Sequence, residues 1–238
     1  MKKIILALLC SLLIVGMVAQ ETRKDTVAVM ILQKMSDVIG DLNSVSFKLN
    51  TSVDVVKHGY GVETQFGHSE VYMVGPDKML IHSKGEKGHR GFWYNGETFT
   101  YYSFDENNYA IVNALPTIIE TIDTIHKTYG IRFPAADFFY PTFTEDVLDF
   151  FDNVMYLGEK VLNGETYFHV LASNEKFNAQ FWISNDAFNL PKKFIIRYKD
   201  NMQYEATFSN WQLNPEIPIS VFEFMPPPKA TQISIMAQ

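Results

Sequence analysis

Residues 92–102 read Phe-Trp-Tyr-Asn-Gly-Glu-Thr-Phe-Thr-Tyr-Tyr. Aromatic-rich runs flank Asn95-Gly96, and an Asn-Gly pair in such a setting is a strong signal for a two-residue β-hairpin turn. The bulky side chains occupy consecutive positions, whereas a strand open to water on one side would alternate more cleanly. This stretch therefore predicts an antiparallel strand pair whose faces are both covered.

Short strand-like runs continue on both sides of this hairpin. Turn signals such as Gly75-Pro76-Asp77 and Asn163-Gly164 separate them, and no regular alternation of strand and helix occurs. The pattern predicts an α+β, mainly β, domain built on one strongly curved antiparallel sheet of about eleven strands. The predicted strands span residues 46–56, 71–74, 79–82, 91–94, 98–104, 109–112, 154–161, 166–172, 177–184, 192–198 and 203–213.

Helical patterns precede the strands and interrupt them. Apolar residues recur at helical spacing over residues 25–42. A second helix is predicted after Thr117, which forms a capping box with Glu120, and Gly130 ends it. Thr144 is predicted to cap a third, short helix.

The segments between these helices are apolar and broken by proline. Residues 134–140 contain Phe138, Phe139 and Tyr140, with Pro141 directly after them. They are natural covers for one face of the sheet. A curved sheet covered in this way either has a solid core or encloses an apolar cavity.

The N-terminus has the layout of a secretory signal peptide. Lys2 and Lys3 precede an apolar run over residues 4–15, which is shorter than the roughly 20 residues of a membrane span. Leu9 before Cys10 does not fit a lipoprotein signal. We therefore expect a signal peptide over residues 1–19, a single exported domain over residues 20–238, and a periplasmic protein that is not a lipoprotein.

Composition excludes several classes of function. The chain has 27 acidic and 20 basic residues, a formal charge of −7, so nucleic acid is a poor partner. Cys10 is the single cysteine, so the mature protein has no thiol nucleophile. No nucleophile-elbow or zinc-protease pattern is present; Gly67-His68-Ser69-Glu70 lacks the second glycine. We predict no enzymatic activity, no metal site and no cofactor, and we expect a monomer.

Several stretches resemble the LolA-like periplasmic lipoprotein-carrier superfamily. They are residues 70–79, the hairpin at residues 93–102 and the closing Phe-Glu-Phe-Met-Pro-Pro-Pro pattern at residues 222–228. Residues 108–110 and 129–137 are most similar to a branch of predicted periplasmic proteins of unknown function. The resemblance implies a half-open barrel covered by lid helices, with an apolar cavity that holds acyl chains in known relatives.

These observations favour a soluble periplasmic carrier or chaperone in a Gram-negative cell. Its ligand would be a lipidated protein, a lipid or another hydrophobic molecule. The alternative is a lipid-responsive sensor or accessory protein that regulates an envelope membrane protein. The candidate cavity residues, each of which could instead be ordinary core, are Tyr72, Trp93, Phe99, Tyr101, Ile118, Ile122, Ile125, Phe138, Phe139, Phe181 and Ile183.

Overall fold

The computed structural model describes residues 22–237. The predicted signal peptide and Cys10 lie outside the described residues. The described range contains three α-helices: α1 (Thr26–Gly40), α2 (Ile118–Tyr129) and α3 (Phe143–Phe150). Two 3₁₀ helices span Ala136–Phe139 and Ile219–Phe222. The strands are β1 (Arg23–Lys24), β2 (Ser44–Lys57), β3 (Gly61–Val74), β4 (Lys78–Gly85), β5 (Gly88–Tyr94), β6 (Thr98–Ser103), β7 (Asn108–Asn113), β8 (Asn153–Leu162), β9 (Glu165–Ser173), β10 (Phe177–Ser184), β11 (Pro191–Tyr198), β12 (Gln203–Leu213) and β13 (Thr231–Gln232).

All of these strands belong to one curved, unclosed sheet. Its order is β1-β8-β9-β10-β11-β12-β2-β3-β4-β5-β6-β7-β13, so β1 and β13 form its two edges. The eleven strands from β2 to β12 pair antiparallel with their strand neighbours of this set, and each overlaps a predicted strand. The prediction was wrong for most of β3, which begins at Gly61, ten residues before the predicted start at residue 71. The strand count is nevertheless thirteen instead of eleven. The two-residue edge strands β1 and β13 pair parallel and are too short to show a period in the sequence.

The helix predictions are confirmed for α2 and corrected for α3. The Glu120 N–H donates to the Thr117 hydroxyl at 3.3 Å, and Gly130 ends α2 in the left-handed conformation with φ of +65°. The third helix begins at Phe143, so Thr144 lies inside it and does not cap it. The Thr144 hydroxyl is buried against Ser36 of α1, 2.8 Å away, which fixes α3 to α1.

The main core lies between the helices and one face of the sheet, which we call the inner face. Apolar side chains at alternate positions of neighbouring strands point to this face, as Phe47 of β2 and Phe208 of β12 do. Leu32 and Met35 of α1 and Ile125 of α2 cover them. The helices therefore bury the apolar inner face of the sheet, as the sequence predicts.

The opposite, outer face carries a second aromatic layer on β4 to β7. Phe224, from the C-terminal segment, packs on Trp93, Tyr102 and Tyr109 with ring centroids 5.0–5.6 Å apart. Gly91 leaves the space that the Trp93 indole occupies, because a Cβ atom there would stand 2.2 Å from the ring. The C-terminal segment thus covers part of the outer face and buries side chains that would otherwise meet water.

Candidate functional site

The space between α2 and the sheet, where the sequence predicts a cavity, is almost completely filled. A void of about 30 Å³ remains there, lined by Ile118, Ile122 and Phe139 with side chains of β2 to β4. That volume is close to the share of a single water molecule in the liquid. In this conformation it does not hold an acyl chain.

A larger opening lies at the other half of the sheet, where α3 and the 3₁₀ helix Ala136–Phe139 meet β10 and β11. This cleft has a volume of about 740 Å³, within the usual range of small-molecule sites. It exceeds the clefts of about 380 and 630 Å³ beside Trp211. Its apolar lining consists of Phe138, Phe143, Val147, Phe150, Phe151, Phe177, Ala179, Phe181, Phe194 and Ile196.

The floor of the cleft is a block of interlocked aromatic rings. The Phe138 ring lies 4.9 Å from that of Phe143 and 5.5 Å from that of Phe194, measured between centroids. Phe181 stacks on Phe194 at 5.2 Å. Such contacts hold each ring in place, so the cleft presents a fixed apolar surface.

The mouth of the cleft is acidic. Asp123, Asp137, Asp146 and Asp149 are among its lining residues. The Tyr140 hydroxyl donates to Asp123, and burial together with this carboxylate raises the pKa of Tyr140. The Asp137 side chain remains open to solvent, yet partial desolvation raises the pKa of its carboxyl, and the charges of Asp123 and Asp146 add to that rise.

The structure distributes the predicted site residues over four environments. Phe138 and Phe181 line the cleft, and Ile118, Ile122 and Phe139 line the small void. Phe99, Ile125 and Ile183 are fully buried in the core, and Tyr101 packs against it partly buried. Tyr72 and Trp93 lie on the outer face, as the following contacts show.

The prediction that Tyr72 and Trp93 line the same cavity wall as Phe99 and Tyr101 is wrong, because the two pairs lie on opposite faces of the sheet. Trp93 is paired with Thr100 and contacts His82 and Phe224, whereas Phe99 points inward. Tyr72 is paired with Leu80, which is itself paired with Trp93, so all three share the outer face. The sequence already separates Trp93 from Phe99. In a hairpin with an Asn95-Gly96 turn, Tyr94 lies opposite Phe99, and the residue next to Tyr94, which is Trp93, must point to the other face.

Sequence reasoning missed most of the cleft. Phe177, Ala179 and Phe181 alternate along β10, and this period is the signal that could have found one wall. The acidic mouth has no comparable signal. Asp123 and Asp146 come from two separate helices, and tertiary packing alone brings both of them to the cleft beside Asp137.

The described residues show neither a metal centre nor a spanning helix. Within residues 22–237, no group of three or more His, Cys, Asp or Glu side chains is arranged to hold a metal ion. His82 and His89 both pack against Phe104. None of the helices in this range has the length and apolarity needed to cross a bilayer.

Comparison with known proteins identifies the family. Residues 28–236 match the model of DUF2092, described as a predicted periplasmic protein, so the chain belongs to this family of periplasmic proteins. This confirms both the resemblance and the periplasmic location predicted from the sequence. The search of curated proteins returned no match.

One solved structure shares the fold, and two others align less closely. An uncharacterized conserved protein from Thermus thermophilus aligns with a TM-score of 0.51 and 9% identity, over 87% of this chain and 98% of that one. The Mycobacterium tuberculosis lipoprotein LppX aligns with a TM-score of 0.46 and 14% identity, over 82% of this chain and 100% of that one. The Pseudomonas aeruginosa MucA/MucB complex gives a TM-score of 0.46 at 8% identity, over 83% of this chain and 61% of that one.

Proposed function

We propose that this protein is a periplasmic carrier or chaperone that binds a hydrophobic ligand, such as the acyl chain of a lipid or lipidated protein, in the cleft between α3 and β10–β11. The observation that carries this proposal is the apolar cleft of about 740 Å³, with its fixed aromatic floor. Such a site is concave and mostly apolar and has few polar groups, as ligand sites generally are.

Burial of an alkyl chain supplies enough free energy for useful affinity. Each methylene removed from water contributes about 0.8 kcal/mol, so about fourteen methylenes contribute about 11 kcal/mol. Association costs at least about 4 kcal/mol in lost translational and rotational freedom. Because this cost does not grow in proportion to chain length whereas the gain from burial does, longer chains bind more tightly. We therefore expect affinity to rise with chain length until the cleft is full.

The lid that the resemblance implies would be formed by the elements that border this cleft. The 3₁₀ helix Ala136–Phe139 and α3 contribute Phe138, Phe143 and Phe150 to its wall. In contrast, α2 covers a part of the sheet where only about 30 Å³ is empty. We assign the lid role to the 3₁₀ helix and α3, and to α2 the role of a core helix.

One feature favours the alternative, a lipid-responsive sensor that regulates an envelope membrane protein. Val56, Val62 and Phe66 are exposed on the outer face of the long β2–β3 hairpin, and Tyr60 is exposed at its turn. Val56 and Val62 are a directly paired apolar couple, and exposed apolar groups outside a ligand site are a feature of protein contact surfaces. In this function, ligand in the cleft would change the affinity of the hairpin for its partner.

The experiment compares two exposed phenylalanines, of which one lines the cleft. Phe150 is 56% exposed at the cleft, and Phe66 is 66% exposed on β3. Purified mature protein is titrated with a fluorescent acyl probe and examined by native mass spectrometry for lipid that copurifies. We expect Phe150→Ser to weaken probe binding about five- to tenfold through lost apolar contact, and Phe66→Ser to leave it unchanged.

Both variants should keep the wild-type melting temperature, because neither side chain is buried. Equal binding by wild type and Phe150→Ser would place the ligand elsewhere. Failure of the wild-type protein to bind any acyl probe, together with a lipid-free mass, would overturn the carrier proposal.

A further inference from the structure

The charge around the cleft has one sign. Four aspartates line it, and none of its described lining residues is Lys, Arg or His. Lys24 lies near the end of α3, but its ammonium donates to the main-chain carbonyls of Leu148 and Phe151. The imidazole of His126 lies on α2, where its Nδ1 is 3.2 Å from the Ile131 carbonyl oxygen, and it lowers the pKa of Asp137 by less than the aspartates raise it.

The carboxylates at the mouth repel one another. Asp123 and Asp146 both disfavour the charged form of Asp137, whose carboxyl is already partly desolvated. Asp123 and Asp146 receive hydrogen bonds from Tyr140 and Thr142, the latter at 2.7 Å, but neutral hydroxyl donors do not cancel the charge. A cation in the mouth would relieve this repulsion, whereas an anion would increase it.

We infer that the cleft selects amphiphiles with a positively charged headgroup, whose apolar tail lies on the Phe138–Phe181–Phe194 floor and whose head lies against Asp137 and Asp149. This inference rests on the proposed function and names the ligand class of that same site. The apolar floor complements the tail of such a molecule, and the acidic mouth complements its charged head. Fatty acids and lipids with a net negative headgroup fit the floor and are disfavoured at the mouth.

The exposed aromatic rings at the mouth add to this preference. Phe150 is solvent-exposed beside Asp149, and both residues line the cleft. Ammonium groups are attracted to the faces of aromatic rings, and this attraction strengthens where water is partly removed. A quaternary ammonium head is therefore held without the strict geometry that a carboxylate or phosphate head would need.

The test uses three probes with the same dodecyl tail: dodecyltrimethylammonium, dodecyl maltoside and dodecanoate. Each is titrated below its critical micelle concentration into the mature protein by calorimetry at low ionic strength. We expect the cation to bind at least about tenfold more tightly than the anion, with the uncharged maltoside between them. Added salt should weaken binding of the cationic probe and leave binding of the maltoside unchanged, because salt screens the interaction between exposed charges.

Charge-removing variants locate the effect. The Asp137 carboxyl accepts a hydrogen bond only from its own main chain, which an amide oxygen can also accept, and Asp149 is exposed, so Asp137→Asn and Asp149→Asn remove charge with little change in structure. We expect each substitution to weaken the affinity for the cationic probe roughly three- to tenfold and to leave the affinity for the maltoside unchanged. Glu86→Gln, in the exposed β4–β5 turn, is the matched control and should alter neither.

The outcomes separate the two proposals. If no dodecyl probe binds, the carrier function itself fails. If all three bind equally, or if dodecanoate binds best, the carrier function stands and the cationic preference is overturned. The same holds if Asp137→Asn and Asp149→Asn both leave the affinity for the cationic probe unchanged, since its preference would then not come from the mouth.

Discussion

Neighbouring residues of one segment can have different roles, as Phe138 and Phe139 show. Both follow Pro134 in a short apolar run, and the sequence predicts both for the same cavity wall. In the 3₁₀ helix they diverge: Phe138 is 2% exposed within the aromatic floor of the cleft, and Phe139 stacks on Phe47 on the other side. Composition identifies such residues as buried, but the side to which each one points depends on how the short helix docks.

Also at the level of single residues, the outer aromatic layer makes stability depend on pH. His82 packs edge-on against Trp93 and Phe104, and its Nε2 is buried without a hydrogen-bond partner. Burial, with a smaller contribution from His89, lowers the pKa of His82 below its ordinary value of 6.5. The unfolded chain therefore takes up the proton first, so stability is complete above about pH 6.5 and falls as the pH drops from there through the folded-state pKa.

The measurement is urea unfolding of the mature protein at pH values from about 8 to 5. We expect His82→Phe, which keeps an aromatic ring and loses the titration, to flatten part of the decline. The remainder is expected from His169, whose pKa burial also lowers. His58→Gln is the control at an exposed position. A profile for His82→Phe that matches the wild type would contradict the assignment.

At the level of elements, α3 depends on a contact from far away in the sequence. Pairing of β1 with β8 brings Lys24 to the end of α3, where its ammonium donates to the Leu148 and Phe151 carbonyls. The last carbonyls of a helix have no partners within it, so this cation satisfies them and interacts favourably with the helix dipole. Lys24 therefore stabilises the element that forms one wall of the cleft.

We expect Lys24→Met to destabilise the protein by about 1–2 kcal/mol, and the cleft wall in particular. Urea unfolding gives the total effect, and hydrogen exchange of residues 143–150 should rise more than that of α2. Lys34→Met, at an exposed position of α1, is the matched control and should change neither. Unchanged exchange in α3 would show that its packing against α1 is sufficient to hold it.

The same elements show what the sequence can predict. Most strands and α2 are predictable because alternation, turn residues and a capping box act locally. The exception is β3, where residues 61–70 are largely polar or Gly and show no apolar alternation, so only residues 71–74 were predicted as strand. The edge strands β1 and β13 each depend on two residues that meet a distant strand, so no local pattern marks them. The predicted start of α3 is wrong for a related reason: Thr144 is as good a cap in the sequence as Thr142, but it lies inside the helix and is buried against Ser36.

For the whole molecule, the two halves of the sheet differ in how closely the helices pack on them. Side chains of α2 nearly fill the space over β3 and β4, whereas α3 and the 3₁₀ helix leave a cleft of about 740 Å³ over β10 and β11. The sequence predicts apolar residues for both halves and does not distinguish a filled space from an open one, because both need the same residue types. Whether the space is filled or open depends on how the helices dock on the sheet.

This asymmetry predicts where a bound ligand is found. A dodecyl amphiphile with a photoreactive diazirine near its tail end should, after irradiation, modify residues 137–151 and 177–196, which form the walls of the cleft. Unlabelled ligand in excess should suppress these adducts, and protein kept in the dark should show none. Adducts concentrated in β4 to β6 and α2 would instead mean that α2 lifts away and the ligand enters beneath it. In that case Phe99, Tyr101 and Ile122 would face the ligand, and the closed packing over β3 and β4 would be the ligand-free state of the protein.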